Sequence, residues 1–360
     1  MKEIQLDQWR AMRADEQERF AKSLCRQLPT NSKFVGVRSD STSDVANSIA
    51  EFEIHGARFN LIPGTEVTVG FDADQWDPSE YELASWEGTA EEYDLDPSPN
   101  VHLQRITNDL RTIRFPTSLV EVTHQEYGWQ HIDRFDSRVE RILKENQDAC
   151  SNAPQVIQEI LAKRHETVRT QIHYQGDEVI RLQFDGQGGL RADEFVSKTH
   201  ADLVAHLKND GFRLPTSDEW EYLCGGGITT LFRWGDHVPC DRYPTDISRE
   251  EIEWRTEWVR SSGKLERPAG GFTSDWDYHR IPNSLGLLIA QNPYQSELVN
   301  EPGVLRGGDG GCSICGGIGY FAGWLPLATA YFEKDFCQLP ENESIDPQFM
   351  FVRRILPWDS

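Results

Sequence analysis

The sequence predicts an α+β fold, and three observations point to it. The first is the run Gly211-Phe-Arg-Leu-Pro-Thr-Ser-Asp-Glu-Trp-Glu-Tyr222, an extended entry that feeds a capped helix. The second is residues 49–71, where apolar and polar residues alternate around turn residues. The third is a set of helical periodicities near the N-terminus and between residues 130 and 208. At 360 residues the chain has room for one large domain or two ordinary ones.

Taken in order, Trp9, Met12, Phe20 and Leu24 recur near helical spacing over residues 6–28, and Pro29 ends the pattern. Residues 34–37 read as a short strand and 39–43 as a polar loop. Phe52 and Ile54 lead to a His55-Gly56 turn and a return strand, and Pro63-Gly64 precedes Val67 and Val69. Residues 72–99 are acidic, contain proline and show no clean period, so a long surface loop is expected there. Helical patterns follow at Ile142 and Leu143, at Val156, Ile160 and Leu161, and over residues 199–208, with a hairpin expected over 172–184. In the run 211–222, Pro215 biases Leu214 away from helix. Thr216 or Ser217 then supplies an N-cap oxygen, and acidic Asp218, Glu219 and Glu221 suit the positive end of the helix. Trp220 and Leu223, three apart, share its buried face.

Charge narrows the function classes. Against 36 Lys+Arg stand 59 Asp+Glu, a net charge of −23, which argues against a nucleic-acid partner or an anionic membrane surface. No apolar run approaches the ~20 residues that span a bilayer, and the first residues lack the apolar core of a signal peptide. The expectation is a cytoplasmic protein with its seven cysteines mostly reduced.

Several ordered motifs resemble the formylglycine-generating enzyme (sulfatase-modifying factor) family. They are Glu121-Val-Thr-His-Gln-Glu-Tyr127, Arg213-Leu-Pro-Thr-Ser-Asp-Glu-Trp-Glu-Tyr222, Trp234-Gly-Asp236, Pro282-Asn-Ser-Leu-Gly-Leu287, Val304-Leu-Arg-Gly-Gly308 and Phe351-Val-Arg-Arg-Ile-Leu356. His124 stands where the family has Asn, and the closing strand lacks its Gly. The resemblance implies the family's irregular fold, itself related to the C-type lectin fold, over residues 49–360. It leaves residues 1–48 as an N-terminal helical extension and about 130–210 as a helical insertion.

The resemblance also implies a site. Aerobic members bind Cu(I) through two cysteines after the Arg-Gly-Gly strand and oxidise a substrate cysteine with O2. Cys312 matches the first position, the second falls on Gly317, and the next cysteine is Cys315. Two thiols can still chelate a metal or cycle through a disulfide. His237-Val-Pro-Cys240 and Cys312-Ser-Ile-Cys315 together form a Cys3His set suited to zinc or another soft metal. Zinc, copper and iron remain open. Calcium is not favoured, because Asn292 and Glu297 stand at a longer spacing than the family's calcium motif and its Gly-Asn is absent. Trp276, His279, Arg306 and Asp309 are candidate ligand-pocket residues. Two functions follow: a metal-dependent oxidoreductase acting at Cys312 and Cys315, or a non-catalytic lectin-like module that binds an unidentified small molecule or protein.

Overall fold

Strands β2 (Asn47–Ile54) and β3 (Ala57–Ile62) form the hairpin expected from the alternation, turning at His55-Gly56. The computed structural model describes residues 3–40, 47–133, 135–151, 169–175, 178–184, 190–246, 278–332, 339 and 343–358. It shows a mixed α+β chain that divides into two units. The first comprises Met1–Gln125, Thr199–Ile252 and Phe272–Ser360, and the second Glu126–Lys198 and Glu253–Gly271.

In the first unit the hairpin sits within the sheet β1-β2-β3-β6-β15, with β1 Lys33–Asp40, β6 Ser118–Glu121 and β15 Ile355–Pro357. Phe52, Phe59, Leu61 and Leu119 bury one face of it, and Val120 and Ile355 the other. Strands β4 (Thr65–Val69) and β5 (Arg111–Phe115) pair antiparallel. A smaller sheet runs β13 (Leu305–Arg306), β12 (Ser296–Leu298), β14 (Met350–Val352) and β7 (Gln125–Glu126).

Three expectations need correcting. The N-terminal helix is two helices, α1 (Leu6–Ala11) and α2 (Ala14–Cys25), because Met12 and Arg13 are extended and Glu16 Oε2 accepts the Arg13 backbone N–H at 2.9 Å, starting a new helix. The closing segment is not one strand: β14 and β15 lie in different sheets, and Arg353 between them turns into the core. The acidic stretch 72–99 is not a loop. It holds α3 (Glu80–Tyr93), and α4 (Pro99–Ile106) follows with proline in its first turn. Ser79 and Glu82 close a capping box on α3. The buried face of α3 carries Glu82 and Thr89 beside Trp86 and Ala90, which blurs its apolar period.

The second unit has an antiparallel sheet in the order β8-β11-β10-β9: β8 Trp129–Ile132, β9 Arg169–Gln175, β10 Glu178–Phe184 and β11 Leu190–Phe195. Helix α5 (Ser137–Ser151) supplies Val139 and Ile142 to a core with Ile132, Ile180, Leu182 and Ala192. The expected pattern at Val156, Ile160 and Leu161 lies outside the described residues.

Helix α6 (His200–Asn209) is capped by Thr199 and α7 (Ser217–Gly225) by Thr216. Thr216 Oγ1 accepts the Glu219 N–H at 3.1 Å, Glu219 Oε2 accepts the Thr216 N–H at 2.8 Å, and Trp220 and Leu223 are fully buried. Replacing Thr216 with alanine is expected to cost about 1 kcal/mol, read as a lower thermal midpoint; an unchanged midpoint would show that the cap is dispensable. At the other end of α7, Asn283 donates to the carbonyls of Leu223 and Cys224 and accepts from the N–H of Leu285 and Leu287. That side chain is why a Pro-Asn-x-x-Gly-Leu turn can sit against a helix end without orphaned carbonyls.

Candidate functional site

The Arg-Gly-Gly stretch places the candidate site. Arg306 on β13 is fully buried, donates to Glu221 Oε1 at 2.5 Å, and lies over the Trp220 and Phe332 rings. Gly307 and Gly308 follow with φ of +62° and +68°. At Gly308 a Cβ would overlap the Gln295 carbonyl, so only glycine lets the chain turn this closely past β12.

The chain then reaches Asp309, whose carboxylate accepts the backbone N–H of Gly311 at 2.7 Å and of Ser313 at 2.9 Å. It thereby fixes the start of α8 (Cys312–Cys315), a single turn that presents Cys312 and Cys315 three residues apart. The Tyr294 Oη lies 3.0 Å from Cys315 Sγ. That contact, followed by burial, pushes the Tyr294 phenol up to about 12.

Cys312 and Asp309 line a cavity of about 260 Å³ whose other walls include Trp86, Tyr93, His102 and Tyr331. Trp86 and Tyr93 come from α3, within the segment expected to be loop, and His102 from α4 just after it. Helix α9 (Tyr320–Trp324) packs behind them: Phe321 stacks on Trp76 at 5.3 Å and meets Trp86 edge-on at 6.4 Å. Burial, assisted by the charge of Arg105, drives the His102 imidazole down to about 4, so it is neutral across the physiological range. The rings of Trp86 and His102 lie 4.7 Å apart.

The other candidates go elsewhere. His237 Nδ1 is 3.0 Å from Glu82 Oε2, and the Val238 N–H donates to the same carboxylate at 3.1 Å. Cys240 Sγ contacts the Val238 carbonyl, and burial, with help from Glu82 and Asp241, pushes its thiol up to about 12. Among the described residues no three His, Cys, Asp or Glu side chains gather to hold a metal ion. The set of His237, Cys240, Cys312 and Cys315 is not among such groups, and His237 faces Glu82 instead. His279 is fully buried, with Nε2 2.9 Å from the Pro244 carbonyl and its ring edge-on to Trp324. Like Arg306, it is fully buried; of the described members of the expected pocket set, Asp309 lines this cavity. Trp276 lies outside the described residues. At the position of the family's calcium motif, where calcium is not favoured, Glu297 pairs with Arg353 and His124.

Trp86, Tyr93 and His102 escaped the sequence reading. The signals were present: Ser79-x-x-Glu82 is a capping-box pattern, and Ser98-Pro99 opens a helix.

No protein-family model matches the chain. Over 139 residues it is 27% identical to the formylglycine-generating enzyme of Mycobacterium tuberculosis, a stretch covering 33% of this chain and 46% of that protein. The chain thus spans about half the length of the curated relative it matches. Among the described residues no helix is long and apolar enough to cross a membrane.

Proposed function

We propose that the chain is a divergent relative of the formylglycine-generating enzymes, with the family's C-type-lectin-related fold over residues 49–360 and a thiol centre at Cys312 and Cys315 that serves an oxidoreductase. The observation that carries this reading is the position of Cys312: after the Arg-Gly-Gly turn, on a turn capped by Asp309, lining a cavity. Two thiols one turn apart suit a soft two-coordinate ion such as Cu(I) better than zinc or iron, which would take three or four ligands. Cys312 and Cys315 would hold such an ion, and when bound it would supply O2 chemistry. The protein's own part is to hold the two sulfurs one turn apart on a short helix and to set the exposed Cys312 at the edge of a cavity with aromatic walls.

Anaerobic loading of the full chain with Cu(I), followed by competition with bicinchoninate, tests the reading. One copper per chain is expected, with at least a tenfold weaker hold in Cys312→Ser and in Cys315→Ser, about 1.4 kcal/mol or more. O2 uptake in the presence of a cysteine-containing peptide is expected only for the loaded parent chain. A chain that retains no copper overturns it. A second reading, a non-catalytic binding module, is favoured by Gly317 standing where the family's second cysteine belongs, and it would stand if copper were not retained.

A further inference from the structure

The cavity beside Cys312 has a wall chemistry that defines an occupant. Trp86, Tyr93 and Tyr331 give it aromatic faces, and Ile318 and Leu325 give it aliphatic ones. Among its described lining residues none brings a positive charge. The Asp309 carboxylate is taken up by two backbone N–H groups, and His102 is neutral above about pH 4. An anionic ligand would lose its hydration and find no partner of opposite sign among the described lining residues. An apolar cavity of about 150 Å³ is enough to take up benzene, so 260 Å³ has room for a fused bicycle.

We propose that this cavity is a binding site for a small aromatic molecule of one or two rings that carries no anionic group, seated between the α3–α4 walls and Cys312. It rests on the thiol-centre reading only in treating the occupant as a substrate; binding itself needs no metal.

Indole, titrated calorimetrically against the metal-free full chain, is the probe. Saturable one-to-one binding is expected, with indole-3-acetate at least about tenfold weaker because its carboxylate has no partner. Ile318→Trp, which fills the cavity from a partly exposed position, is expected to weaken indole at least tenfold while leaving the thermal midpoint near that of the parent. In a Cys315→Ser chain, indole is expected to slow alkylation of Cys312 by iodoacetamide, read by peptide mass spectrometry. That readout needs no cavity-filling variant to fold. Absence of saturable binding to the folded chain, equal binding of indole-3-acetate, or unchanged Cys312 alkylation at saturating indole would each overturn the proposal. Copper retention is measured separately, so loss of either result leaves the other standing.

Discussion

Replacing Arg353 with leucine is expected to destabilise the protein by about 3–5 kcal/mol, the range for a buried ion pair broken on one side. Arg353 is fully buried; its Nε lies 2.8 Å from Glu297 Oε2 and its Nη2 2.6 Å from Glu297 Oε1. The same guanidinium donates to the carbonyls of Glu121, Val122 and Leu288, so it ties β6, β12 and the 283–288 turn together. Leucine would leave the Glu297 carboxylate with the His124 ring and the Trp220 indole N–H but without its cation. Guanidinium titration followed by tryptophan fluorescence checks this, and a loss under 1 kcal/mol would refute it. The double variant Arg353→Leu, Glu297→Leu is expected to regain part of the loss, because no charge is then stranded.

The same pair sets an acid limb. Burial alone would raise the Glu297 carboxyl, but the charge and hydrogen bonds of Arg353 and His124 outweigh it and hold the group near 2, below its ordinary 4.5. A carboxyl depressed on folding stabilises the native state fully above its unfolded value, and that contribution fades as pH falls from about 4.5 toward 2. Stability should therefore drop across that window in the parent and less steeply in the double variant.

The second large effect is expected at Gly308→Ala. An alanine at a φ of +68° costs about 1–2 kcal/mol, and overlap with the Gln295 carbonyl adds roughly 1–3 more. The backbone cannot yield without moving β12 or the Asp309 turn, so loosening of the Cys312–Cys315 helix should accompany the lost stability. Faster alkylation of Cys312, together with a lower thermal midpoint, is the expected signature. Gly310→Ala is the control: its φ is +66°, but nothing lies within 4 Å of the added carbon, so only the smaller backbone cost is expected. Equal effects at the two positions would show that the close approach at Gly308 is not what requires glycine.

Much of the scaffold was legible because its signals are local. The N-cap at Thr216 or Ser217, the His55-Gly56 turn and the alternation of Phe52 and Ile54 each act over a few residues. The glycines after Arg306 were legible as a close approach, though not what they approach. Helices α3 and α4 were missed for a physical reason: α3 buries a carboxylate and a threonine along with its tryptophan, so hydrophobic periodicity alone reads it as irregular. The missed helices carry the aromatic walls of the site. The full burial of Arg306 and His279 was not legible, since a charged or polar side chain in a conspicuous motif reads the same whether it is buried or exposed. The convergence of His237 with Cys312 was a guess about tertiary contact that spacing cannot encode, and Glu82 holds the His237 end elsewhere.

Glu82 has one more effect. Its carboxylate closes the first turn of α3 and also grips the loop 155 residues away in sequence. That shared anchor ties the N-terminal end of the helix that carries Trp86 and Tyr93 to a second segment, so losing the Glu82 carboxylate would release both the first turn of α3 and the 237–238 backbone at once.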